Sequence, residues 1–82
     1  MKLYAVYNKQ NDLLTLNNIP PTPEMIADNN TVICSKTYEE EFGEFIAVMR
    51  NEAITILSRL EYYSLFGSQQ MDFDKEAYYI KE

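Results

Sequence analysis

Apolar and polar positions alternate in short runs over the first third of the chain. Leu3-Tyr4-Ala5-Val6-Tyr7 is rich in β formers, Asn8-Lys9-Gln10-Asn11-Asp12 is polar and turn-prone, and Leu13-Leu14-Thr15-Leu16 is apolar again. This order predicts a β-hairpin. Residues 17–22 contain Pro20 and Pro21 and must run extended. Thr22-Pro23-Glu24 places a side-chain oxygen at an N-cap and a proline at the first helical position, so Met25-Ile26-Ala27-Asp28 should form one short helical turn. The β-branched run Thr31-Val32-Ile33-Cys34-Ser35 predicts a third, central strand.

Beyond Thr37 the spacing changes. Tyr38, Phe42, Phe45, Ile46, Met49, Ala53, Ile56, Leu57, Leu60 and Tyr63 recur in steps of three and four, as one face of a helix requires. Thr37-Tyr38-Glu39-Glu40 fits a capping box, and Gly67 is placed to end a helix. The pattern predicts a continuous helix over 38–66 and a cost of about 1 kcal/mol for Thr37→Ala. Ala77-Tyr78-Tyr79-Ile80 reads as a last strand. The expected fold class is α+β: a small antiparallel sheet (N-terminal hairpin, third strand, C-terminal strand) packed on one long helix. A helix of that length spans about 43 Å, whereas a chain of this size makes a body about 30 Å across. The excess would have to bend, overhang or be covered. Ala47, Ile54 and Leu65 lie outside the main apolar stripe and are the expected contact for a second copy. No internal repeat is visible in the residues.

Composition narrows the function classes. The chain has 82 residues, 46% hydrophobic and 24% charged, which suits one small globular domain over 1–82. There is no His, no Trp and one Cys, so neither a disulfide framework nor any His-dependent catalyst can be built. Cys34 has no His to act as its base and reads as a small core residue with a raised thiol pKa. Gly43 and Gly67 are the two glycines, so a phosphate-binding loop is absent.

The net charge is −6, and its distribution is uneven. Residues 1–37 carry three Lys against three acids, whereas residues 38–82 carry Arg50, Arg59, Lys75 and Lys81 against ten acids. Two clusters result: Glu39, Glu40, Glu41 and Glu44, and then Asp72, Asp74 and Glu76. The second begins like a calcium loop, but Ala77 stands where that loop needs Gly. No metal and no cofactor are expected, and the two clusters are the candidate partner-binding residues. A basic patch of the kind that binds nucleic acid is not visible. The first residues lack the apolar core of a signal peptide and no stretch is apolar enough for a membrane helix, so a cytoplasmic protein is expected.

Two functional readings follow. In the first, a non-enzymatic acidic module docks on a basic surface of another protein, steered by charge. In size, acidity and lack of catalytic groups the chain resembles the small phage-encoded proteins that block host restriction or CRISPR machinery. That resemblance implies an inhibitor acting in the host cytoplasm on a nucleic-acid-binding site of a defence protein. In the second, the chain is a structural or regulatory homo-oligomer, a homodimer being one form, assembled through the long helix, whose apolar positions also fit a coiled-coil seam.

Overall fold

The computed structural model describes residues 1–67 and 75–81. Eight elements follow one another: β1 (Lys2–Asn8), β2 (Leu13–Asn17), α1 (Pro23–Ala27), β3 (Thr31–Thr37), β4 (Gly43–Arg50), β5 (Ala53–Ser58), α2 (Arg59–Phe66) and β6 (Lys75–Lys81). They make two three-stranded antiparallel sheets with strand orders β2-β1-β3 and β5-β4-β6.

The expected sheet on one long helix is therefore wrong. Residues 38–66 form a linker, a β-hairpin and an eight-residue helix, not a helix of 29 residues. The reason lies in what covers β4. Phe45, Ala47 and Met49 face the first sheet, and Ile46 and Val48 face α2, so all five consecutive side chains are buried. A strand covered on both sides shows an unbroken apolar run without alternation. That run, with the apolar residues of β5 behind it, also satisfies steps of three and four. The β-branched content of Ile46, Val48, Ile54, Thr55 and Ile56 favours strand. The break between the strands is a two-residue turn: Asn51 and Glu52 both have positive φ, 54° and 66°, and Arg50 pairs with Ala53 across it. Positive φ at both central positions matches the right-handed twist of the flanking strands. Asn tolerates that conformation and Glu does so less readily, which weakens the turn signal in the sequence.

The capping box moves with the helix. Ser58 Oγ accepts from the Glu61 backbone N–H at 3.1 Å, and the Glu61 carboxylate accepts from the Ser58 N–H at 2.9 Å. Thr37 ends β3 instead, and Gly67 does close a helix, with φ 63° at the C-cap of α2. Thr22 caps α1 as expected, accepting from the Met25 N–H at 3.3 Å.

Each sheet comes from one continuous stretch of chain, and the two stretches share one plan. A hairpin forms first, then a short helix, then a third strand that pairs on the free side of the first. Replacing β1, β2, β3 by β4, β5, β6 reproduces the strand order. The sheets pack face to face, with β2 near β6 and β3 near β5. The same replacement exchanges those two pairs, as a two-fold axis through the sandwich would. The equivalence reaches single residues: Ala5 pairs with Leu16 and Cys34, and Ala47 pairs with Ile56 and Ala77. The central strands read Leu3-Tyr4-Ala5-Val6-Tyr7 and Phe45-Ile46-Ala47-Val48-Met49, an internal repeat too short and too degenerate to be seen without the structure. Cys34 thus lies on an edge strand, not the central one expected, and is half-buried against the core.

The main core lies between the sheets: Leu3, Ala5, Leu14 and Leu16 from one, and Phe45, Ala47, Met49, Ile56 and Ala77 from the other. β2 and β3 run parallel to each other, and α1, in the segment between them, lies against β3. In the second half Tyr62 and Phe66 of α2 cover Ile46, Val48 and Leu57. The longest dimension is 36 Å, so the length conflict of the expected helix does not arise.

Two outcomes test this architecture. Ser58→Ala should lower stability by about 1 kcal/mol, while Thr37→Ala, on an exposed strand end, should change it by less than about 0.5 kcal/mol; urea melts of both variants compare them. Ala47→Leu should cost about 1–3 kcal/mol by overpacking a position wholly buried between the sheets. A position on the outside of a long helix would instead tolerate the change.

Candidate functional site

The first acidic cluster does not lie on a helix. Glu39, Glu40 and Glu41 occupy residues 38–42, the linker that joins the two halves, and all three are exposed. No helix dipole or cap uses them. The ion pairs among the described residues are Lys36–Glu61, Arg59–Glu44 and Lys75–Asp12, at 3.0, 2.7 and 2.7 Å, and none involves Glu39, Glu40 or Glu41. Glu44, the fourth acid expected at the site, stands apart from them in two respects. It belongs to β4, and its carboxylate accepts a hydrogen bond from Arg59 Nε. The structure therefore separates one paired acid from three that make no ion pair among the described residues.

The linker turns into β4 at Gly43, whose φ of +148° is rarely adopted by a residue with a side chain. Phe42 precedes this turn, and Leu60 is the second residue of α2. Both line a cleft of 190 Å³ together with Gly43, Phe45, Ser58, Glu40, Glu44 and Arg59. Phe42 is 61% exposed and Leu60 81% exposed. Both counted as interior positions of the expected helical stripe, so their contribution to a surface site was hidden. Arg59 is held on two sides, by Glu44 and by stacking over the Tyr63 ring at 5.7 Å.

The remaining expected residues are dispersed. Asp72 and Asp74 lie outside the described residues. Glu76 is exposed on β6 and accepts a hydrogen bond from the Tyr78 hydroxyl at 2.7 Å. That carboxylate raises the pKa of Tyr78. The expected contact strip for a second copy does not exist as a surface: Ala47 is fully buried, Ile54 is half-buried against the core, and Leu65 alone is exposed, on α2. A dimer through a helix over 38–66 likewise has no such helix to run through. Among the described residues no three metal-ligating side chains come together, and no helix is long and apolar enough to cross a membrane.

The strongest electrostatic perturbation lies behind the cleft, where the halves meet. Glu61 is held down to about 2 by the Ser58 backbone N–H, then by the Tyr38 hydroxyl and Lys36. Burial, followed by the facing Glu61 carboxylate, pushes the Tyr38 hydroxyl well above the usual tyrosine range. Tyr38 and Lys36 also donate to the Ile56 carbonyl, at 3.3 and 3.4 Å, and the Tyr38 ring packs on Phe45 at 4.7 Å. Perturbed groups often mark catalytic sites. Here the shifts follow from the α2 cap, from burial and from bonds that tie β3 and the start of the linker to β5 and α2, which makes this a structural clamp. At the opposite end Asp12 bonds Lys75 and Tyr7, which lowers its pKa, and this clamps the first hairpin to β6. Burial raises the Cys34 thiol, with Lys36 opposing it.

Comparison with family models, curated proteins and solved structures finds no match to this chain.

The Glu61 clamp has a pH signature. Its folded pKa lies below the ordinary 4.5, so its contribution to stability is complete above about 4.5 and is withdrawn as pH falls towards about 2. Melting temperatures taken between pH 6 and pH 2 should show wild type losing stability through that window. Glu61→Gln, already without the charge, should show a shallower acid slope and a lower plateau above it.

Proposed function

We propose that this protein acts by binding another protein, docking its acidic linker on a basic surface of the partner. The observation that carries the reading is the run Glu39-Glu40-Glu41: three adjacent carboxylates, exposed on the connection between two rigid sheets, with no ion pair among the described residues. Charges that stabilise a fold are normally engaged by it, and loops held by a rigid scaffold are where binding residues concentrate. The net charge of −6 extends the same field and would speed encounter with a positive partner.

A basic patch is the electrostatic footprint of a nucleic-acid-binding surface, so the partner class proposed is a nucleic-acid-binding protein, and docking there would exclude its nucleic acid. Duplex DNA carries a charge about every 1.7 Å along its axis. Three carboxylates on a five-residue linker fill a local site and do not imitate an extended duplex.

Affinity capture from a cell lysate with the immobilised protein tests this. Proteins with nucleic-acid-binding surfaces should be retained in low salt, be released in high salt, and be displaced by added DNA or RNA. The triple variant Glu39→Lys, Glu40→Lys, Glu41→Lys should melt within a few degrees of wild type, because exposed substitutions change stability by less than about 0.5 kcal/mol each, and should retain none of them. Retention by the triple variant at the wild-type level in low salt would reject the reading.

A further inference from the structure

We infer that the cleft between Phe42 and Leu60 is the specificity pocket of this binding site, and that it receives one large apolar side chain from a partner segment in which lysine or arginine flanks that residue. The inference rests on the acidic linker being the docking surface and adds the chemistry of what docks.

The cleft holds 190 Å³, about six waters at roughly 30 Å³ each, a space on the scale of a single large side chain. Two of its lining residues, Phe42 and Leu60, are exposed large apolar groups, and they meet at one cleft rather than being scattered. Isolated exposed apolar residues are ordinary, whereas two that line one cleft together with Phe45 give an entering side chain apolar contact from more than one residue.

Charge decides what surrounds that side chain. The lining carries Glu40 and the Glu44–Arg59 pair, so one cation stands against two carboxylates, and Glu39 and Glu41 are the chain neighbours of Glu40, with Glu41 lining a separate cleft beside Lys2. An acidic segment or a nucleic acid is repelled. A second copy of this chain, brought to the cleft by its own equivalent face, sets like charges together and is disfavoured. A lysine or arginine next to the apolar residue meets Glu40 directly and competes with Arg59 for Glu44. Arg59 then has a defined role: it keeps Glu44 in place at the rim and yields to, or shares with, the incoming cation.

The test uses the full chain, isotopically labelled, and two synthetic peptides as probes: Lys-Lys-Leu-Arg-Lys and its Leu→Ala form. In low salt the leucine peptide should shift the amide signals of Phe42 to Phe45 and Ser58 to Leu60 saturably, in the millimolar range or tighter. The alanine peptide should bind at least about tenfold more weakly, since three fewer carbons enter the cleft. Phe42→Ser and Leu60→Ser should each abolish the preference for leucine while leaving the melting temperature unchanged. Arg59→Gln should strengthen binding of the leucine peptide by freeing Glu44. Equal binding of the two peptides, shifts confined to other surfaces, or no shift with either would overturn the inference. Lysate capture separates the two levels. If Phe42→Ser and Leu60→Ser retain partners as well as wild type while the triple charge reversal does not, the acidic docking surface stands and the pocket falls.

Discussion

Everything in this fold depends on two sheets that cannot be left apart. Each has one face lined by apolar side chains, and neither half has another way to cover it. The sheets approach along β2 with β6 and β3 with β5, and Ala5 and Ala47, at equivalent positions on the central strands, are both wholly inaccessible. The larger Leu3, Leu14, Leu16, Phe45, Met49 and Ile56 fill the space between the sheets. Two polar clamps fix the alignment at the margins: Lys36 and Tyr38 with Glu61 and the Ile56 carbonyl on one side, and Lys75 with Asp12 on the other. These bonds are partly exposed and contribute modestly to stability. Their value is directional, since an apolar interface alone does not set an angle.

The linker takes its properties from this arrangement. Its two ends are held by different sheets, through the Tyr38 clamp at one end and β4 at the other, so the acids between them sit on a connection anchored at both ends. The order needed to present charge outward is supplied by the core, and the linker itself contributes no buried side chain among Glu39, Glu40, Glu41 and Phe42. The same geometry brings Phe42 and Leu60, far apart in sequence, to the lining of one cleft.

The first half of the chain was legible because its signals are local. The alternation in Leu3 to Leu16, the Thr22-Pro23 cap and the β-branched run at Val32-Ile33 each identify an element without knowledge of its neighbours. The second half failed because its decisive fact is tertiary. Covering β4 on both faces removes the alternation that marks a strand, and the residue left to signal the turn, Glu52, is an unusual choice for positive φ. Ser58-Arg59-Leu60-Glu61 carried a correct capping signal that competed with the false one at Thr37-Tyr38-Glu39-Glu40. The acids of the candidate site were visible as composition, and their structural setting was misassigned. Phe42 and Leu60 were missed because an apolar residue on an assumed stripe reads as interior.

Building each sheet from a continuous half has a consequence for biosynthesis. The first sheet can form as soon as Thr37 has left the ribosome, because β1, β2 and β3 need no later residue to pair. Its inner face of Leu3, Ala5, Leu14 and Leu16 then remains open to water until the strand carrying Phe45, Ala47 and Met49 has also emerged. During that interval the nascent chain presents a sticky surface and two unpaired strand edges, the conditions under which growing chains associate with each other. The acidic run is the next segment made after the first sheet, and it holds negative charge beside that uncovered face throughout the delay.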